Sequence, residues 1–215
     1  MSFRVPLHGI GVAFGLGLSI ALAGCGSGGT TSGGRGSSVP GAALTGVVRG
    51  GEQPIVGSTV NLYAAGTSGY GSGAVSLMNG SGAATTDKQG KFSIADDFTC
   101  PSPDAQIYLV AKGGNAGYGT NPSAVLMSAL GSCGSLGAGT VINVSEVSSV
   151  ASVYALAQFM LPGSTTVGTS STNVRGLVNA FSTVANLIDV ETALARTTTP
   201  AGNGTVPQTT INALA

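Results

Sequence analysis

Between residues 43 and 111 the apolar side chains recur at alternate positions in short runs, and a turn-forming group ends nearly every run. Leu44, Gly46, Val47 and Val48 open the first run. Ile55 and then Val60, Leu62 and Ala64 carry the second, residues 74–78 a short third, and Phe92 with Ile94 a further one. Residues 107–111 are the most apolar run, bounded by Pro103 and by Gly113-Gly114. Alternation of this kind places every second side chain on one face of an extended chain. The breaks are residues 49–54, a Gly/Ser/Tyr loop at 65–73, and Asp87-Lys88-Gln89-Gly90, with glycine where a turn needs positive φ. Strands this short and this regularly punctuated predict an antiparallel β-sandwich. The 36 glycines show no three-residue period, which excludes a collagen helix.

Beyond residue 115 the period changes. Residues 122–130 are apolar and fit either a strand or a short helix; residues 141–144 read as a strand. Over 145–160, Val147, Val150, Ala151, Tyr154, Ala155 and Phe159 stand three and four apart, which puts them on one face of a helix. Asn143 or Ser145 can cap it, Glu146 suits its positive end, and Leu161-Pro162-Gly163 stops it. A second helix is predicted over about residues 172–188, capped from 170–172, with Val174, Leu177, Val178, Phe181, Val184, Ala185 and Ile188 on one side. Residues 197–207 read as a loop. Residues 209–215 read as the start of a third helix without a stop signal, as in a fragment or an early-terminated copy. The expected fold is mainly β with α: an antiparallel β-sandwich followed by a helical extension of two to three helices.

The N-terminus carries a different signal. Met-Ser-Phe-Arg is a short positive segment, and residues 5–21 are apolar but short and glycine-interrupted for a membrane span. A signal-peptide core is the better reading. It ends in Leu22-Ala23-Gly24-Cys25, which resembles the lipobox of bacterial lipoproteins. That resemblance implies a diacylglycerol thioether on Cys25, cleavage just before it, and acylation of the new amino group. The competing readings are an ordinary secretory signal with a chance cysteine, or a small transmembrane anchor. Gly26 and Ser27 follow, with no aspartate to mark inner-membrane retention, so the expected location is the cell envelope, lipid-anchored, at the outer membrane. Residues 26–41 are a Gly/Ser-rich tether that cannot bury apolar surface and is expected to be disordered. The expected organisation is leader 1–24, lipidated cysteine and linker 25–42, sandwich 43–115, and a mixed, mainly helical segment 116–215.

The series Gly46-Val47-Val48, Pro54-Ile55-Val56-Gly57-Ser58-Thr59-Val60-Asn61-Leu62-Tyr63, Thr86-Asp87-x-x-Gly90-x-Phe92 and Tyr108-Leu109-Val110-Ala111 resembles the carboxypeptidase regulatory-like domain. These are small prealbumin-like or immunoglobulin-like sandwiches related to the B-type repeats of collagen adhesins. The resemblance covers about residues 43–115 and implies mostly non-catalytic roles: spacing, adhesion, and carbohydrate or protein contact. Adhesin repeats that carry a Lys–Asn isopeptide place the lysine in the first strand; here the lysines are Lys88, Lys91 and Lys112. The text Asn143-Val144-Ser145-Glu146-Val147, Tyr154-Ala155-Leu156-Ala157-x-Phe159-Met160 and Asn179-Ala180-Phe181 is similar to bacterial lipoproteins in which a helical extension follows such a sandwich.

The chemistry is bounded by what a processed chain would retain. Removing the leader takes away Arg4 and leaves seven basic and eight acidic side chains, too balanced and too dispersed for nucleic acid. It also takes away His8, the one histidine, and with it histidine-based triads and zinc sites. Cys100 and Cys133 are expected to form a disulfide in an exported chain, the rival being a partner cysteine beyond residue 215. Neighbouring Asp96 and Asp97 point to opposite faces of a strand and read as a solvated loop; a weak calcium site with Asp104 is the other reading, and no metal or cofactor is expected. Asp87 reads as a turn residue. Tyr70 and Tyr118 sit in Gly-rich loops and are the candidate ligand contacts, provided one end of the sandwich brings them together; Tyr63, Tyr108 and Tyr154 read as core or core-edge. The expected function is a non-enzymatic, lipid-anchored envelope protein in contact with a membrane and with an envelope protein or glycan. A carbohydrate-binding or adhesion module is the alternative, and a carboxylate-based hydrolase the remote one.

Overall fold

The computed structural model describes residues 37–78 and 82–215. The leader, Cys25 and the first part of the tether lie outside the described residues. In chain order the elements are β1 (Val39–Pro40), β2 (Leu44–Gly50), β3 (Gln53–Pro54), β4 (Thr59–Ala64), β5 (Val75–Ser76), β6 (Ala84–Thr85), β7 (Lys91–Ile94), β8 (Thr99–Cys100), β9 (Gln106–Lys112), β10 (Val125–Ser132), β11 (Val141–Val144), α1 (Glu146–Leu156), α2 (Val174–Leu187), β12 (Ile188–Asp189), β13 (Leu194–Ala195) and α3 (Gln208–Leu214). The fold is mainly β with α, as the alternation and the later change of period predict.

One sheet is centred on β2, bordered by β11 on one edge and by β7 and β3 on the other. A second runs β10-β9-β4, with β5 and β6 paired to β4. Leu44, Val48, Phe92, Ile94, Ile142 and Val144 of the first sheet share one apolar cluster with Val60, Leu62, Ile107, Leu109 and Ala111 of the second. The alternate residues of β9, Tyr108 and Val110, belong to another cluster with Met127 and Ala129 of β10, Ala151 and Leu156 of α1, and Leu177, Phe181 and Val184 of α2. β9 is therefore buried on both faces, which is why its run is apolar without a break.

The two halves of the quoted motif meet at one hydroxyl. Thr86 Oγ1 accepts from the Ser58 amide (2.8 Å) and donates to the Ile55 carbonyl (2.6 Å). Its own backbone bonds to Gly57 and Ser58. Asp87 Oδ1 accepts from the Gln89 and Lys91 amides and closes the turn into β7. Thr86→Val keeps the shape and removes the hydroxyl, leaving a buried amide and a carbonyl without that partner. It should cost about 1–3 kcal/mol in urea unfolding, against less than about 1 kcal/mol for Thr86→Ser.

Three features differ from the sequence reading, and one open alternative is resolved. The tether acquires structure at its end: Val39 and Pro40 pair with Cys100 and Thr99, because Val39 packs on the core and the Gly41 amide bonds the Phe98 carbonyl. Residues 122–130 resolve to a strand, β10, which extends the second sheet. β11 pairs with β2 in parallel, not antiparallel. It comes so close that a side chain at Gly46 would meet the Ile142 carbonyl oxygen and the Phe92 ring. The inner face of α1 is Ser148, Ala151, Ser152 and Leu156, whereas Tyr154, expected in the core, is 74% exposed.

The reason is the free edge of β10. Its Met127 amide bonds Ser149 Oγ (2.9 Å), its Ala129 amide bonds Ser152 Oγ (3.0 Å), and Ser148 Oγ donates to the Met127 carbonyl (2.9 Å). Serines on α1 thus satisfy a strand edge that would otherwise invite another strand. Ser145 and Ser148 also form a reciprocal cap at the start of the helix.

Candidate functional site

The register of β4 with β9 separates the two tyrosine loops. Thr59 faces Lys112 at one end of the pair and Ala64 faces Ile107 at the other. The loop holding Tyr70 follows Ala64; the loop holding Tyr118 follows Lys112. The two tyrosines therefore lie at opposite ends of the sheet and do not form one site.

Tyr70 is held by its own chain. Its ring stacks on Phe159 at 6.0 Å, and its hydroxyl accepts from Asn173 Nδ2 at 2.9 Å. That is loop packing. Tyr63 and Tyr108 stack on each other at 5.4 Å. Tyr108 is buried, its hydroxyl accepts from the Val167 amide, and burial pushes its phenol up to about 12, so it stays neutral.

Tyr118 differs. It is 99% exposed on a loop that is tightly bonded. Asn115 Oδ1 accepts from the Gly117 amide (2.7 Å) and the Gly119 amide (3.0 Å). The Asn115 backbone exchanges two bonds with Val56, and the Asn121 amide bonds Gly114. Tyr118 is at the rim of a cleft of about 420 Å³ whose lining includes Ile55, Thr120, Asn121, Leu126 and Glu146. Glu146 is the first residue of α1, and its Oε1 accepts from the Gly51 amide at 2.9 Å, tying the β2–β3 turn to the helix. On its far side a second cleft, of about 510 Å³, is bounded by Arg49, Asn143, Thr192 and Leu194. Tyr118 was a candidate from its loop alone; Glu146 read only as a helix-end charge, because nothing local in the sequence places it beside residue 118.

The other candidates are placed as follows. Cys100 and Cys133 are joined in a disulfide, both buried, with Cα atoms 6.2 Å apart. Asp96, Asp97 and Asp104 do not converge: among the described residues no group of three or more His, Cys, Asp or Glu could hold a metal ion. Asp189 pairs with Arg196 at 3.2 Å and caps two turn amides. Cys25 lies outside the described residues, and no helix among those described is long and apolar enough to cross a membrane. No protein-family model matches the chain, and no curated protein matches it.

Proposed function

We propose that the chain is a non-enzymatic protein of a bacterial cell envelope, exported, cut before Cys25, and anchored by lipid on that cysteine. The observation that carries this reading is the Cys100–Cys133 disulfide, since such bonds persist in oxidising compartments outside the cytosol. The Leu22-Ala23-Gly24-Cys25 lipobox and the Gly/Ser tether supply the address and the reach. Two or three acyl chains would hold it firmly, each buried methylene contributing about 0.8 kcal/mol. Gly26 and Ser27 favour the outer membrane.

The folded part is read as an immunoglobulin-like or prealbumin-like sandwich of the carboxypeptidase regulatory-like kind. Two sheets sharing one apolar cluster support this, as does the meeting of its motif pieces at Thr86. Display and contact, not catalysis, suit the side chains: Asp87, Glu146 and Asp189 bond turn and helix-end amides, and the processed chain has no histidine.

Labelling with radioactive palmitate tests the anchor. The wild-type chain should carry the label and migrate at its processed length. Cys25→Ser should carry none and accumulate as the uncut precursor. Equal label and equal processing in the two forms would overturn the proposal.

A further inference from the structure

We infer that the cleft rimmed by Tyr118 is a binding site for a neutral, pyranose-based glycan. Exposed tyrosines are ordinary on mobile loops, but this loop is tied down. Asn115 holds the amides on both sides of Tyr118, and Gly117 and Gly119 take φ of +105° and +104°, which lets the chain reverse on either side of the ring. The backbone that carries the ring is thus fixed, and the ring itself projects into solvent, unused by the fold. An aromatic face so placed can stack on the C–H face of a sugar ring while its hydroxyl stays in water.

The rest of the lining fits the same ligand. Thr120 and Asn121 are polar residues of the lining, Asn121 with its Oδ1 accepting from the Ser123 amide; Ile55 and Leu126 are apolar ones, and Glu146 adds a carboxylate. A few polar groups on a mostly apolar concave surface are what fix the orientation of a bound small molecule. Glu146 is the one ionisable group in that lining apart from the Tyr118 phenol, which points to a neutral or amino sugar and away from a uronate.

The loop itself does not suit a lipid surface as the occupant: the neighbours of Tyr118 are Gly117, Gly119, Thr120 and Asn121, which have no bulk to insert into lipid.

The test uses the full processed protein, extracted in a detergent without a sugar headgroup, titrated with cellohexaose, maltohexaose and chitohexaose. Isothermal titration calorimetry reads the binding, since it does not depend on the tyrosine that the variants remove. At least one neutral hexaose should bind with a millimolar or tighter dissociation constant. Tyr118→Ala should weaken it about tenfold or more, Tyr118→Phe by less than about threefold, and neither should move the melting temperature, because the side chain is 99% exposed. Three results would each overturn the proposal: no binding of any of the three hexaoses, binding unaffected by Tyr118→Ala, or Tyr118-dependent binding to a polygalacturonate hexamer or to phosphatidylethanolamine–phosphatidylglycerol vesicles in their place.

Discussion

Removing the Cys100–Cys133 disulfide, by the double substitution to alanine, should lower the unfolding free energy by about 3.5–4 kcal/mol on the chain-entropy account. The two cysteines are 33 residues apart. The segment between them contains β9 and β10, so most of the second sheet lies inside the closed loop. The bond also joins two of the places where the chain passes between the sheets: Cys100 lies between β7 and β9, and Cys133 between β10 and β11. Without the link the open chain gains freedom, and both passages lose a tie within the buried core. Against a typical total of about 5–15 kcal/mol this is a large fraction. For a domain of this size it corresponds to a melting temperature lower by about 10 °C. Urea unfolding of the oxidised wild type and of the double variant measures it; coincident midpoints would contradict it.

The second large effect concerns the serine-lined face of α1. The double substitution Ser148→Ala and Ser152→Ala should destabilise by about 2–6 kcal/mol, from about 1–3 kcal/mol for each buried group left without its partner. Ser152 serves the Ala129 amide, and Ser148 serves the Met127 carbonyl as well as the helix cap. Both serines are fully buried against β10, so water cannot easily replace them. The two sites share a strand, and their costs need not add. Ser182→Ala is the control: its hydroxyl bonds only within α2 and is exposed, so the change should stay within about 0.5 kcal/mol. Hydrogen exchange should localise the effect, with the Ala129 amide losing protection before the amides of β4. An uncovered β10 edge should also promote self-association at high concentration.

This face of α1 shows where the sequence stops being legible. Spacing three and four drew Val147, Val150 and Tyr154 onto one apolar face, but the helix turns serine, alanine and leucine inward. A strand edge needs donors and acceptors, and hydrophobic periodicity does not register them. Val150 packs instead towards α3, in the small cluster around Ala195, Val206 and Ile211, and Val147 packs against both that cluster and the one beneath α1. The strands of period two, β2, β4 and β7, could be read directly because each has one buried face. β10 could not, because residues buried on both faces lose the alternation that separates a strand from a helix. The parallel pairing of β11 with β2 joins segments far apart in sequence, and nothing within either segment specifies it. At the candidate site, loop composition marked Tyr118, and the disulfide followed from an expected compartment. The neighbourhood of Tyr118 needed the fold: Glu146 reaches it only because α1 starts beside the β2–β3 turn.

The most direct test of the lipid-anchor reading is the intact mass and N-terminal peptide of the protein extracted from its native membrane. The account predicts a chain beginning at Cys25 that carries a thioether-linked diacylglycerol. An unmodified Cys25 with residues 1–24 still attached would contradict it.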